Sequence, residues 1–377
     1  MIAKRFAAAV LQPTSLCNLD CSYCYLSSRD KNLRMMPIVA SKVAEAISQQ
    51  NAPWPVDIIW HGGEPMASGI DHLRSLVTPF EQLREEGKVI HFIQTNATLI
   101  NREWCNFFQE YGFKVGVSID GPEWANTQRK NWSNKPAFND ILRGISVLQS
   151  CGIDFSAIAV VSRQNVERAR ELYDFFCGLG CSSVGFNVEE IEGLNSSRGR
   201  YQPSEEMVRR FWEEIFESWV GNPALEVREI DRFLSYSKAV LQGSGESWKG
   251  YRNKDPFPTV AWNGDVSLLS PELAGNRSEV YHDFVVGNVL QNSLVEIVAE
   301  GREARYVTDF AAGVEECKAV CPYFDFCGGG QASNKFFEHG TTNATITSYC
   351  RNSYQLVSEA ILDSLPEEEV ALAEQTP

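Results

Sequence analysis

No apolar run in this 377-residue chain approaches the ~18 residues that a membrane-spanning helix needs, so nothing in it reads as a bilayer segment. Basic blocks are missing as well. Against 49 Asp and Glu stand 34 Lys and Arg, a formal charge of −15, which argues against nucleic acid or an anionic membrane as the main partner. The chain shows no internal repeat beyond its β-α units and no low-complexity segment. Its start, with Ala7-Ala8-Ala9-Val10-Leu11, only faintly imitates a signal peptide; the stretch is very short, lacks a convincing cleavage site, and fits a first β-strand equally well. Histidine is scarce, at five residues. Cysteine is not: there are eleven, an odd number. A chain this long, 44% hydrophobic, can bury a large core without disulfide staples. Cysteines in such numbers point to metal or redox chemistry in a reducing, cytoplasmic compartment.

Strand-like apolar runs alternate with amphipathic helical stretches. The strands read Phe6–Gln12, Val56–Trp60, Val89–Thr95, Phe113–Ile119, Ile153–Val161 and Ser182–Val188, with helical patterns near 39–50, 71–86, 101–111, 138–150 and 165–178. Asn101 and Asn165 are candidate N-caps, and Gly152 and Gly180 follow helix ends. Six β-α units in strict alternation imply a parallel sheet with right-handed crossovers. Six are too few for a closed eight-fold barrel, so the expected α/β fold is a partial (β/α)6 TIM-like barrel over residues 1–200. Functional residues then belong on loops beyond the strand C-termini. A helical linker over 201–257 is expected next, with helices at 204–220 and 229–242. A hairpin over 259–269 turning at Asn263-Gly264 follows, then helices near 293–306 and 348–363, and an acidic tail at 364–377.

The cysteines fall into three groups. Cys17, Cys21 and Cys24 form C-x3-C-x2-C directly after the first strand. Three thiolates on one loop complete neither a four-cysteine iron–sulfur site nor a closed zinc tetrahedron, whereas a cubane held by three leaves one iron open. A structural zinc with a distant fourth ligand is the alternative. Cys317, Cys321, Cys327 and Cys350 form the second group, four thiolates able to close a [4Fe–4S] cluster or to bind zinc. Cys105, Cys151, Cys177 and Cys181 lie in or beside apolar helices and read as core thiols.

C-x3-C-x2-C after strand one, with Tyr23 before the third cysteine, resembles the signature of the radical S-adenosylmethionine (SAM) superfamily. Later strands agree. Gly62-Gly63-Glu64-Pro65 resembles that family's GGEP motif, which meets the methionine amino group of SAM. Gln94-Thr95-Asn96 and Ser118-Ile119-Asp120-Gly121 also match, and the resemblance puts Ser118 and Asp120 near the SAM ribose. Arg143 matches an arginine that meets the methionine carboxylate in some relatives. The implied cofactors are SAM and a [4Fe–4S] cluster with an open iron.

The C-terminal stretch resembles the SPASM extension of peptide-modifying radical SAM enzymes, which typically holds two auxiliary clusters, and would span 258–363. This chain departs from that pattern. Position 269 is Leu, position 331 is Gln, and no Cys lies between 182 and 316. The four remaining cysteines match one auxiliary [4Fe–4S] cluster, with C-x3-C in place of C-x2-C. Phe324 to Thr341 most resembles maturases that form cyclophane crosslinks in ribosomal peptides. That resemblance implies a precursor peptide as substrate, an external electron donor, and a Cβ radical that attacks an aromatic ring. It leaves the catalytic base unnamed. Other peptide modifications (epimerisation, ether or thioether formation, sulfatase maturation) and a non-catalytic iron–sulfur scaffold are the alternatives. No leader-binding domain is recognised before the first strand, so peptide recognition is expected to use this chain's own surface or another protein. A monomer is the default. His61 reads as a local hydrogen-bond partner, His339 as structural, and Trp212, Phe216 and Trp219 as a packing stripe. Glu189, Glu190 and Glu192 read as a solvated loop at the barrel mouth.

Overall fold

The computed structural model describes residues 2–196, 202–245 and 254–364. Six strands carry the architecture: β1 (Ala8–Leu11), β2 (Val56–Trp60), β3 (Val89–Thr95), β4 (Lys114–Ser118), β5 (Phe155–Val161) and β6 (Ser183–Val188). Each pairs in parallel with the next, from Ala8 opposite Asp57 to Val161 opposite Val188. The side chains of β2, β3 and β5 alternate strictly between buried and half-buried, the period-two signature of strands between two layers. The wall is continued at both edges. Beyond β6 lies β7 (Glu226–Val227), in parallel. Beyond β1 lies β8 (Thr259–Val260), also parallel, followed by antiparallel β9 (Asp265–Ser267) and β10 (Gly287–Asn288). The end strands β10 and β7 do not pair, so among the described residues the ten-stranded sheet stays open.

Helices α1 (Pro37–Gln50), α2 (Ile70–Val77), α3 (Glu81–Glu85), α4 (Arg102–Glu110), α5 (Phe138–Ser150) and α6 (Ala169–Leu179) cover the sheet. Asn101 caps α4, accepting from the Trp104 N–H at 3.0 Å, and Gly180 ends α6 in the left-handed region at φ 75°. The helix expected at 71–86 is broken. Pro79 supplies no N–H, and a 3-10 turn over Thr78–Phe80 separates α2 from α3. Asn165 is not a helix cap either. Its Oδ1 accepts from the Ser162 N–H and its Nδ2 donates to the Val160 carbonyl, a local turn that delays α6 until Ala169.

The hairpin turns at Asn263-Gly264, where Gly264 has φ 88°. The helix expected at 293–306 stops at Gly301 after a Ser293/Glu296 capping box. A second helix, Arg305–Val320, not among the expected elements, buries Tyr306, Val307, Phe310 and Val314 and delivers Cys317 in its last turn. The helix expected at 348–363 is wound wide over Arg351–Gln355, as π-helical turns near functional sites often are. Trp212 and Phe211 on the helix Glu205–Gly221 meet Phe186 of β6 edge-on, and Phe186 meets Phe176 of α6. These rings are essentially buried, each contributing roughly 1.5–3 kcal/mol of transfer free energy. Trp212 also donates to the Asn352 carbonyl at 2.8 Å, locking the C-terminal helix onto the barrel. No helix among the described residues is long and apolar enough to cross a membrane. The acidic tail expected at 364–377 lies, beyond Ser364, outside the described residues.

Candidate functional site

The three-cysteine loop leaves β1 at Leu11 and is held by its own backbone. The Cys17 N–H donates to the Arg29 carbonyl at 2.8 Å and the Cys24 N–H to the Cys21 carbonyl at 3.2 Å. The Arg29 guanidinium is nearly buried, pairs with Asp20, and reaches the Cys24 and Leu26 carbonyls at 3.3 and 3.4 Å. Burial pushes the Cys17 thiol well above its usual range and the Cys21 thiol up to about 11. A metal that displaces those protons would remove that conflict.

Gly62-Gly63-Glu64-Pro65 is seated directly on this loop. A Cβ at Gly63 would lie 2.6 Å from the Leu16 carbonyl oxygen and 2.8 Å from those of Ser15 and Thr14, at a φ of 68°. Only glycine allows that approach. The Glu64 N–H donates to the Leu16 carbonyl at 2.8 Å. Its side chain is buried and accepts from Thr95 Oγ1 and the Asn96 N–H, both at 2.8 Å, and from the Met66 N–H at 3.2 Å. Burial raises its carboxyl to about 7 in spite of those donors. Asn96 ties β3 to the same loop by donating to Asn18 at 2.9 Å, with Cys17 Sγ 3.9 Å away.

Tyr23 Oη donates to Asp120 at 2.8 Å, and Asp120 forms a two-point pair with Arg129 at 2.9 and 2.8 Å. Asp120 also accepts from the Val160 N–H, so its oxygens are occupied, and it is not among the cavity walls. It acts on the site through Tyr23 and Arg129, which do line it, and not by facing a ribose. Ser118 accepts from Gln94 Nε2 at 2.8 Å, and both line the cavity. Arg143 lies away from it. Its guanidinium holds the Thr98 and Ile100 carbonyls, while a Cβ at the adjacent Gly144 would come within 2.0 Å of the Ala97 carbonyl oxygen. The Arg143-Gly144 pair seats the loop after β3 on α5, and that is where its side chain is spent. Arg129, a residue no motif flagged, is the cation that the buried Asp120 requires.

Cys17, Cys21, Cys24, Gly63, Glu64 and Ser118 open onto one cavity of about 520 Å³ that reaches Gln331, Tyr349 and Ser353 of the C-terminal unit. Glu189, Glu190 and Glu192 line the same cavity, and the solvated loop expected there is not found. Glu189 and Glu192 are buried, and Asn334 Nδ2 donates to Glu192 at 3.0 Å and to Glu190. The cause is close packing: the Leu194 N–H donates to the Tyr25 carbonyl at 3.1 Å, and a Cβ at Gly193 would lie 2.3 Å from that oxygen. Glu272 faces the same space, with its Oε2 buried and unpartnered. Burial raises Glu190 to about 8, Glu272 to about 7, and Glu192 well above the usual range. His61 shares a hydrogen bond with Tyr25 Oη at 3.0 Å, and burial lowers it to about 4, so it stays neutral.

Cys317, Cys321, Cys327 and Cys350 ring a second, small pocket closed by Tyr323, Phe324 and Tyr354. Gly328, Gly329 and Gly330 all have positive φ, and the Gly329 N–H donates to Cys327 Sγ at 3.3 Å. Thr347 Oγ1 donates to Cys350 Sγ at 3.2 Å. All eleven cysteines are free thiols. Among the described residues, no three His, Cys, Asp or Glu side chains are arranged to hold a single metal ion. Gln331 and Leu269, where the family pattern places two further cysteines, carry no thiol; Gln331 instead donates to Tyr349 Oη at 2.9 Å.

The profile of the radical SAM superfamily matches residues 11–176. An uncharacterized protein of Synechocystis sp. is 34% identical over 97% of this chain and 93% of its own length. A serine-type anaerobic sulfatase-maturating enzyme of Bacteroides thetaiotaomicron is 26% identical over 94% of this chain and 89% of that enzyme. Among solved structures, native anSMEcpe with bound AdoMet shares the fold at a TM-score of 0.75 and 22% identity, covering 98% of this chain and 100% of that one. Streptococcus suis SuiB bound to precursor peptide SuiA follows at 0.65 and 16%, covering 93% and 76%.

Proposed function

This chain belongs to the radical SAM superfamily, and we propose that it is a peptide maturase joining a side-chain β-carbon of a precursor peptide to a nearby aromatic ring. One observation carries the reading: a single cavity connects the three-cysteine loop to the wall formed by Gln331, Tyr349 and Ser353. SAM against the loop leaves the far end for a second, extended reactant. Cys17, Cys21 and Cys24 would hold the open [4Fe–4S] cluster, and Cys317, Cys321, Cys327 and Cys350 the closed one. The fit rests on the number of thiols at each site: three opening onto a cavity, four ringing an enclosed pocket.

When bound and reduced by an external donor, the cluster and SAM supply hydrogen abstraction from unactivated carbon. The protein's own residues position and exclude. Glu64 would accept from the SAM ammonium, and Gln94 and Ser118, on the same cavity wall, would meet its sugar. Tyr23, Asp120 and Arg129 fix the loop from behind. Crosslinking removes two hydrogens from the peptide. One would go to the SAM-derived fragment, and the other would leave the ring as a proton together with one electron, for which the cluster held by Cys317, Cys321, Cys327 and Cys350 would be the acceptor. Glu272, held at about 7 and so part-ionised near neutral pH, is the carboxyl group suited to receive that proton, while Glu190 and Glu192 stay protonated beside it.

A second reading is oxidation of a serine or cysteine side chain to an aldehyde, favoured by the similarity to sulfatase-maturating enzymes along the chain's length. Against it stand Leu269 and Gln331, which remove the positions for a second auxiliary cluster, and the Phe324 to Thr341 segment. The test is tandem mass spectrometry of a neighbouring small precursor peptide treated with the enzyme. Crosslinking predicts the loss of two hydrogens, suppressed fragmentation between the joined residues, and no reaction with a hydrazide. A hydrazide-reactive product supports the aldehyde reading and overturns the first.

A further inference from the structure

Two lysines stand beside the four-cysteine pocket, Lys335 buried and Lys254 half-buried, and among the described residues neither has a carboxylate partner. Lys335, on the helix Ala332–His339, is wholly inaccessible to solvent, and its Nζ lies 3.9 Å from Cys317 Sγ. Lys254 Nζ donates to the Gly330 carbonyl. The two ammoniums share one aromatic floor, at 5.0 and 5.2 Å from the centre of Phe310. Gly330 is wedged among these groups. A Cβ there would sit 3.0 Å from Cys350 Sγ and 3.9 Å from Lys335 Cε. The sulfurs of Cys317, Cys327 and Cys350 are the neighbours that, once deprotonated, favour the charged form of both lysines.

An unpaired buried ammonium is costly, and Lys335 with a second, half-buried ammonium beside it demands compensating negative charge. Four thiolates around a [4Fe–4S] core supply it, with a net double negative charge when oxidised and a triple one when reduced. We propose that Lys254 and Lys335 are positioning residues that act as the built-in counter-charge of the auxiliary site, favouring the form carrying the additional electron. Lys254 is also spliced into the barrel. Its carbonyl accepts from the Ala3 N–H at 2.8 Å, beside a parallel bridge to Ile2. The same residue that neutralises the C-terminal site thus ties it to the entry of β1.

This inference rests on the cluster assignment of the preceding subsection. Its test uses the anaerobically reconstituted full chain carrying Cys17→Ala, Cys21→Ala and Cys24→Ala, so that only the auxiliary cluster reports. A redox titration followed by electron paramagnetic resonance reads its midpoint potential. Lys335→Met is expected to move the midpoint to more negative values, and adding Lys254→Met to move it further, while Lys335→Arg stays near the parent. An intact cluster whose midpoint ignores both lysines overturns the inference alone. Should Lys335→Met bind no iron, retention in Lys335→Arg supports the charge role, and loss in both overturns it in favour of packing. A parent that binds no iron–sulfur at these four cysteines overturns both this inference and the cluster assignment.

Discussion

Tyr23 Oη donates to the Asp120 carboxylate at 2.8 Å, joining the residue before the third loop cysteine to the end of β4. The bond spans 97 residues and is backed by the buried pair of Asp120 with Arg129, whose guanidinium also lies 5.4 Å from the centre of the Tyr23 ring. The cysteine loop is thereby fastened to the barrel core through the cavity wall, with Asp120 behind Tyr23 and Arg129.

Removing one end of that pair leaves a buried charge alone. Asp120→Asn should destabilise the protein by about 3–5 kcal/mol, and Tyr23→Phe by only about 1 kcal/mol. Denaturant unfolding under anaerobic conditions checks both. Equal, small effects would mean that Arg129 finds another partner.

Gly63→Ala places a methyl group against three carbonyl oxygens at a positive φ. We expect the three-cysteine site to lose most of its iron while the four-cysteine site keeps its own. Iron and sulfide analysis should give ~8 Fe in the parent and ~4 in the variant. About 12 Fe in the parent would contradict the assignment of one auxiliary cluster.

The acid cluster in the cavity carries a pH signature. Glu190 and Glu272 are held above their unfolded values by burial, at about 8 and about 7. The native state therefore binds protons that the unfolded chain has released, so the contribution of these two groups to stability is greatest at the acid end and falls as pH rises from about 4.5 to about 8. Glu272→Gln should flatten the slope of Tm against pH across that window. A slope unchanged by Glu272→Gln would show that Glu272 ionises freely in the folded protein.

Much of this was legible in the sequence because it rests on local periodicity. The six core strands and the caps at Asn101 and Gly180 follow from alternation and capping chemistry. The helix Arg305–Val320 carries an apolar stripe as well, with Tyr306, Val307, Phe310, Val314 and Cys317 at helical spacing, but it runs into a cysteine-rich segment that reads first as a ligand loop. The acid cluster was misread for a different reason. Glu190 and Glu192 look solvated until Gly193 brings their loop onto Tyr25 and Asn334 arrives from 142 residues beyond Glu192. Arg143 shows the converse: a motif match whose side chain is used to hold the Thr98 and Ile100 carbonyls. Long-range partners of this kind leave no trace in spacing.

The central claim is that one cavity brings SAM chemistry and a peptide together for ring crosslinking. The most direct measurement incubates the reduced, anaerobic enzyme with SAM and the neighbouring precursor peptide, following 5′-deoxyadenosine and the peptide by mass spectrometry in the same reaction. The account predicts 5′-deoxyadenosine together with a peptide lighter by two hydrogens, bridged between a β-carbon and an aromatic ring, both abolished by Cys17→Ala. Abundant 5′-deoxyadenosine with an epimerised or aldehyde-bearing peptide, or none at all from a fully loaded enzyme, would contradict it.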